Sequence, residues 1–231
     1  MNSQVTASYE VVYNTLKRRI LHLELVPGAV VSEIETAKEF SVSRTPVRDA
    51  FKALIGEGLL EVKPHIGTFV TLINLTKISD ILYIREIVEK AVLHELALSF
   101  HQSHEFKLNH ILHNQKLILD NILLSNQIFA MEFVRSDNEF HQILFKLAGR
   151  ENLIHYYETI NGHYERFRTF LNFEDRSSAN KLYEQHLQLI DHLKNKEFTQ
   201  LNQLLTRHIY DGFNCKTNVI YEHPEYFLAP E

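Results

Sequence analysis

Between Lys77 and Pro224 the chain contains no proline, and its three glycines are the only residues there that strongly disfavour a helix. The whole chain of 231 residues has seven glycines and five prolines. Sandwiches and barrels need turn residues roughly every 8 to 12 positions, so the chain has too few of them for either fold. We therefore predict a mainly α protein.

The composition is that of a folded protein from a reducing compartment. Hydrophobic residues make up 45% of the chain and charged residues 23%, which excludes a disordered chain. The single cysteine, Cys215, cannot form an internal disulfide, and no apolar run approaches the roughly 20 residues that span a bilayer. Residues 1–8 lack the pattern of a secretory signal. We expect a soluble, cytoplasmic protein with no membrane partner.

The net charge of −5 is unevenly distributed along the chain. Residues 1–71 contain 8 Lys or Arg and 8 Asp or Glu, whereas the rest of the chain contains 16 and 21. A neutral first domain can carry a local basic face, but it is not strongly basic as a whole. Nucleic-acid binding must therefore be inferred from the residue pattern and not from bulk charge.

The N-terminal part shows the pattern of three short helices and a β-hairpin. The helices are predicted at 8–23, 33–40 and 43–57, and the two strands flank a turn at 64–67. Ser32 and Glu35 form a capping-box pattern for the second helix, and Ser43 can cap the third. This layout is that of a winged helix-turn-helix, so residues 1–73 are predicted to be a DNA-binding domain.

The third helix has one apolar and one cationic face. Its apolar positions are spaced for a core contact and comprise Val47, Ala50, Phe51 and Leu54. Arg44, Arg48 and Lys52 follow one another at intervals of four residues on another face. At the tip of the hairpin, His65 either faces a DNA groove or only solvates the turn.

The second part, residues 77–222, is predicted to be an all-α bundle of six helices. Their approximate bounds are 77–101, 104–124, 127–148, 151–171, 177–195 and 197–215. The breaks between them are short, as is usual in helix bundles. The residues after 215 show no periodicity and are predicted to form an irregular tail.

Of the 14 histidines, three have, together with one aspartate, the spacing of a metal site inside this bundle. Asp137 and His141 lie at i and i+4 on one helix face, and an antiparallel pairing of the last two helices can bring His186 and His208 to the same level. One oxygen and three imidazole ligands suit Zn, Ni, Mn or Fe(II). The alternative is a solvated Asp137–His141 pair with two histidines that are only packed in the core. No catalytic motif is present, so an enzyme is not supported.

In the first domain the sequence resembles the GntR family of transcriptional regulators. The matching residues run from Val42 to Ala50 and continue with Leu54, Gly58, Leu59 and the segment 67–70. The resemblance implies that Arg44, Thr45 and Arg48 contact operator DNA, that Gly67 beside His65 enters the minor groove, and that the first helix, through Lys17, contacts phosphate. Many relatives have an arginine where this chain has Ile34, so the operator preference of the family does not carry over.

In the second domain the sequence resembles the effector domain of the FadR-type subfamily. The segment 137–141 is similar to the central helix of that domain, and His186 and His208 match its two later metal histidines. The resemblance implies a divalent metal ion, Zn, Ni or Mn, on Asp137, His141, His186 and His208. Arg85 and Glu89 match residues near the ligand cavity, and six helices favour the VanR-like group, which implies a small organic acid as effector.

These inferences together predict a homodimeric, ligand-responsive regulator that binds double-stranded operator DNA, with repression as the commoner mode in the family. Two-fold symmetry follows from the need of two recognition helices to reach two half-sites. The alternatives are a metal-dependent enzyme fused to a DNA-binding domain, and a helical domain that only dimerises. For Arg85 the alternative to ligand binding is an i, i+4 ion pair with Glu89.

Overall fold

The computed structural model describes residues 2–174, 176–214 and 217–229, and its N-terminal part is a winged domain. The elements are α1 (Asn2–Leu21), β1 (Val30–Val31), α2 (Glu33–Glu39), α3 (Arg44–Gly56), β2 (Leu60–Lys63) and β3 (Gly67–Val70). The three strands form one antiparallel sheet in the order β1-β3-β2, with Val62 opposite Thr68. The core side of α1, formed by Val12, Leu16 and Ile20, packs in one cluster with the apolar face of α3.

The helix caps and helix ends predicted from the sequence agree with the structure at some positions and differ at others. The hydroxyl of Ser32 accepts a hydrogen bond from the Glu35 amide at 3.4 Å, so this predicted cap is formed. Ser43 occupies the predicted N-cap position of α3, but its side chain makes no capping hydrogen bond. The first helix ends at Leu21 and not at Leu23, because Leu23 adopts a left-handed backbone with φ of 58°.

The helical domain follows without a long linker. Its helices are α4 (Leu75–Leu98), α5 (Gln102–Asp120), α6 (Asn126–Leu147), α7 (Asn152–Ile160), α8 (Gly162–Glu174), α9 (Ser177–Asn195), α10 (Phe198–Asn214) and the short α11 (Thr217–Glu222). The mainly α fold class is therefore confirmed.

The predicted single helix at 151–171 is wrong, because the chain breaks it at Asn161 into α7 and α8. The helix count that favoured the VanR-like group therefore does not hold in the described part of the chain. Gly162, the first residue of α8, lies against the winged domain. A Cβ at Gly162 would lie 2.7 Å from Cδ2 of Leu59, so a larger residue there would require the buried Leu59 side chain to shift.

The C-terminal tail is more ordered than its sequence predicts. After α11, a short 3₁₀ turn spans Pro224–Tyr226, and Phe227 is buried in the core of the helical domain. The backbone of Ile73 pairs with the tail in a parallel bridge, because its amide donates to Tyr226 and its carbonyl accepts from Leu228, both at 2.9 Å. The tail thus holds the segment that joins the two domains. Cys215 lies outside the described residues.

None of the helices in the described ranges combines the length and hydrophobicity that a membrane crossing requires.

Candidate metal centre and DNA-binding surface

Three helices bring the four predicted metal ligands together in the interior of the helical domain. Asp137 and His141 come from α6, His186 from α9 and His208 from α10, and all four side chains are buried. One ligand atom of each lies within 4.8 Å of the other three. The Nε2 atoms of His141 and His186 are 3.1 Å and 3.2 Å from Nε2 of His208. Side chains far apart in sequence therefore form one compact donor set.

Each of the three imidazoles is oriented by an oxygen on its other nitrogen. Nδ1 of His141 lies 2.7 Å from Glu89 Oε2, and the amide oxygens of Gln115 and Gln185 lie 2.9 Å from Nδ1 of His186 and of His208, respectively. Gln185 is itself fixed, because its Nε2 donates to Asp211 Oδ2 at 2.6 Å.

These oxygens can only accept, so each Nδ1 carries the imidazole proton and each Nε2 presents a lone pair. Three lone pairs that face one another at these distances repel, and a bound cation relieves that repulsion. The donor set thus fits a divalent metal ion.

Asp137 directs one free carboxylate oxygen toward the three imidazole Nε2 atoms. Its Oδ2 accepts from Nη2 of Arg168 at 2.5 Å, whereas its Oδ1 is buried without a hydrogen-bond partner and lies 3.4 Å from Nε2 of His186. Burial would raise the pKa of Asp137, but the positive charge of Arg168 outweighs it and holds the pKa well below its usual range. The carboxylate is therefore ionised and available as a ligand.

His186 and His208 are neutral, as metal ligands must be. Burial lowers the pKa of His186 to about 3 and holds that of His208 well below its ordinary value. Neutral imidazole keeps its lone pair, so no proton has to be displaced before a cation binds.

Arg85 lies beside this centre, and it forms the ion pair with Glu89 that is the alternative to ligand binding. Its Nε donates to Glu89 Oε1 at 2.7 Å, and both side chains are buried. The ring of Tyr164 lies 5.3 Å from the guanidinium carbon of Arg85 and equally far from that of Arg168. Because Glu89 also holds His141, Arg85 is connected to the donor set through a single carboxylate.

A cavity of about 460 Å³ lies between the winged domain and the helical domain. Arg85, Glu89 and His141 contribute to its lining on one side, and Lys17 and Glu57 on the other. Its volume lies in the range of about 300 to 1,000 Å³ that is usual for small-molecule sites. A second cavity of about 20 Å³ lies against Asp137 and His208, with room for about one water molecule.

The cationic face of α3 is exposed. The side chains of Arg44 and Arg48 are 57% and 54% accessible, and Thr45 is also exposed. Glu33, at the start of α2, reaches both arginines, with one carboxylate oxygen 3.5 Å from Nη2 of Arg44 and from Nε of Arg48. The next residue, Ile34, is half exposed on the same surface.

The predicted wing tip lies at the end of the hairpin, away from the core of the winged domain. His65 is exposed and has a left-handed backbone with φ of 63°, and Gly67 has φ of 148°. Residues other than glycine rarely adopt a φ near 148°, so the turn requires Gly67.

Lys17, the predicted phosphate contact, forms an ion pair within the protein. Its Nζ is 2.7 Å from Glu57 Oε2 and 3.0 Å from the Tyr13 hydroxyl, and the side chain lines the cavity between the domains. A phosphate contact would require Lys17 to leave this ion pair.

The sequence pattern did not identify the residues that orient the metal ligands. Gln115 follows Leu108 and Leu112 on the buried stripe of α5, and a polar residue on an apolar stripe was the available signal. Arg168 has no such signal, since it lies in a helix whose bounds were predicted wrongly. Glu33 was also missed, because its contact depends on how α2 crosses α3.

Two family models match the chain. Residues 8–70 match the bacterial regulatory proteins of the gntR family, and residues 80–211 match the FCD domain. Relatives include the HTH-type transcriptional repressor RspR of Escherichia coli, 27% identical over 94% of this chain and 92% of its own length. The Nta operon transcriptional regulator of Aminobacter aminovorans is 29% identical over 84% of this chain and 87% of its own.

Solved structures share the fold. McbR/YncC of E. coli has a TM-score of 0.73 at 17% identity and covers 94% of this chain and 98% of its own. A putative GntR regulator from Rhodococcus sp. RHA1 has a TM-score of 0.66 at 19% identity, with 90% and 95% covered. The chain belongs to the gntR family of DNA-binding transcriptional regulators, carries an FCD domain, and is a regulator and not an enzyme.

Proposed function

We propose that this regulator is a homodimeric repressor that senses a small organic acid through a divalent metal ion in its helical domain. The observation that carries the proposal is the convergence of three imidazole lone pairs and one free carboxylate oxygen at a buried point. A helical domain that served only for dimerisation would have no need of such an arrangement.

Asp137, His141, His186 and His208 would hold the ion, and Zn, Ni or Mn all suit this ligand set. Four protein ligands leave further coordination positions open in a five- or six-coordinate ion. The ion would supply positive charge to a carboxylate effector that enters from the cavity between the domains.

Arg85 would provide the second positive charge for the acid. Its guanidinium is already paired with Glu89, so an incoming carboxylate would share it with that residue. A cation and an arginine together offset the desolvation of a buried anion better than either alone.

On the DNA side, Arg44, Thr45 and Arg48 would reach base edges in the major groove, and His65 with Gly67 would approach the minor groove. Arginine binds guanine in a bidentate manner, and the observed contacts of Arg44 and Arg48 to Glu33 are long and exposed. Both arginines can therefore exchange Glu33 for DNA. A phosphate role for Lys17 is not part of this proposal.

Two copies of the chain are needed to address two half-sites. On α4, Tyr83, Ile84 and Ile87 share one exposed face, which is a suitable dimer contact. The printed name of RspR supports repression as the mode of action. A regulator that binds operator DNA would act in the cytoplasm.

Metal analysis of the purified, untagged protein tests the proposal. We expect about one divalent ion per chain in the wild type and none in His186→Ala or His208→Ala. His113→Ala is the matched control, because His113 lies on the exposed surface of α5 and should keep the ion. Equal metal content in all three variants would refute the ligand set.

A further inference from the structure

Arg166 is a buried cation that has no acidic partner among the described residues. Its side chain is completely buried, and its guanidinium donates to the Thr71 carbonyl at 2.6 Å, to Thr71 Oγ1 at 3.1 Å and to Nδ1 of His163 at 2.9 Å. Burial lowers the pKa of Arg166 to about 10, which still leaves it charged at neutral pH. Buried charges are usually paired, so a buried arginine bound only to neutral groups needs an explanation.

The groups that Arg166 binds belong to the segment that joins the two domains. Thr71 directly follows β3, its amide donates to the Leu59 carbonyl at 3.1 Å, and its hydroxyl donates to the Gly58 carbonyl at 2.7 Å. His163 accepts from the Asn74 amide at 3.3 Å. The first turn of α8 therefore holds both ends of segment 71–74, and through Thr71 it holds the turn that follows α3.

The opposite face of the same helix holds the metal centre. Arg168 is two residues beyond Arg166, which places the two side chains about 200° apart around the helix axis. Arg168 donates to Asp137 Oδ2 at 2.5 Å and to Asn138 Oδ1 at 2.8 Å. Helix α8 thus lies between the donor set and the interdomain segment, with one buried arginine on each side.

We propose that Arg166 is a positioning residue that makes the placement of the winged domain depend on the state of the metal centre. The proposal rests on the proposed function, because it requires a cation on Asp137. A cation on the free oxygen of Asp137 draws charge away from the oxygen that binds Arg168, so the position of Arg168 depends on whether the site is filled. Since α8 is one continuous helix, a shift at Arg168 also moves Arg166 and the Thr71 group that it binds.

The lack of an acidic partner suits this role. A carboxylate on another helix would tie the Arg166 side chain to that helix, so that it would not follow α8. The observed partners of Arg166 lie in the interdomain segment and in α8 itself. The planar guanidinium binds both the carbonyl and the hydroxyl of Thr71, which fixes direction as well as distance. Lysine, with a single point charge, would not reproduce this geometry.

The test uses zinc as the only added ligand and an operator duplex selected from a random-sequence library with the wild-type protein. Operator affinity is measured for metal-stripped and zinc-loaded protein, and the ratio of the two affinities is the coupling. Allosteric couplings are typically about 5- to 150-fold, so we expect at least about a fivefold ratio in the wild type. In Arg166→Met the ratio should fall to less than twofold while the zinc content stays at that of the wild type.

Thr71 provides a matched pair of variants in case Arg166→Met does not fold. Thr71→Val removes the hydroxyl at nearly constant volume and should reduce the coupling at least twofold, whereas Thr71→Ser keeps the hydroxyl and should retain it. Undiminished coupling in a folded Arg166→Met protein, or equal coupling in the two Thr71 variants, would overturn the proposal. A wild type that binds zinc without any change in operator affinity would also overturn it. A wild type that binds no zinc contradicts the proposed function itself, and the two failures are therefore distinguishable.

Discussion

The candidate metal centre and the candidate recognition surface both contain arginines held by a carboxylate, but the two arrangements differ in burial and distance. Arg168 and Asp137 are almost inaccessible and 2.5 Å apart, whereas Arg44 and Arg48 are more than half exposed and lie 3.5 Å from Glu33. A buried pair is costly to break, while an exposed pair is screened by water and is worth little. The first arrangement maintains a fixed site, and the second leaves its arginines free to bind a partner.

Removal of the buried arginine should give the largest effect. Arg168→Met leaves the Asp137 carboxylate buried without its ion pair, which should lower the free energy of unfolding by about 3 to 5 kcal/mol in metal-free protein. The measurement is denaturant unfolding followed by circular dichroism.

The control is Arg150→Met, because Arg150 forms a two-point contact with Glu95 at 2.8 and 2.9 Å on the surface. We expect little change there. A similar loss of stability in both variants would remove the distinction between buried and exposed pairs.

Acid pH should weaken the junction between the winged domain and the helical domain. Burial, followed by the charge of Arg166, lowers the pKa of His163 to about 3, so the folded protein resists a proton that the unfolded chain accepts below about pH 6.5. Stability is therefore complete above that pH and declines below it, by about 2 kcal/mol between pH 6.5 and 5.

In metal-stripped protein, the difference between the unfolding curves of wild type and His163→Gln isolates this contribution, because glutamine keeps an acceptor but does not titrate. An unchanged pH dependence in the variant would show that other groups account for the decline.

On the recognition surface, Arg48→Ala should affect binding and not folding. Loss of one base contact should weaken operator binding by about 1 to 3 kcal/mol and relax specificity at that base pair. The unfolding free energy should change by less than about 0.5 kcal/mol, as is usual for surface positions. Unchanged operator affinity would contradict the assignment of α3 as the reading helix.

The smallest expected effect concerns Glu33. Glu33→Gln removes a negative charge that competes with DNA for Arg44 and Arg48, so affinity for non-specific duplex should rise, by no more than about 1 kcal/mol at low salt. Glu61→Gln, on strand β2, is the control, because Glu61 pairs with Lys63 and with no other cation among the described residues. Weaker binding by the Glu33 variant would instead mean that Glu33 positions the arginines for DNA.

Local patterns in the sequence predicted most of the helices, the hairpin and the four candidate metal ligands. Periodicity identifies a buried helix face because the repeat of 3.6 residues is local, and Asp137 and His141 needed only that repeat to lie together. The break at Asn161 was not predictable in this way. The start of α8 lies against Leu59, a residue about a hundred positions away in the sequence, and such a contact leaves no local sequence pattern.

The pairing of charged side chains could not be predicted from the sequence. Arg166 and Arg168 are two similar residues on one helix, and no local pattern shows that one binds Thr71 and the other Asp137. Likewise, Lys17 resembles a phosphate contact in the sequence but pairs with Glu57 in the fold. A side chain's partner depends on how helices cross, and that crossing is set by packing over the whole domain.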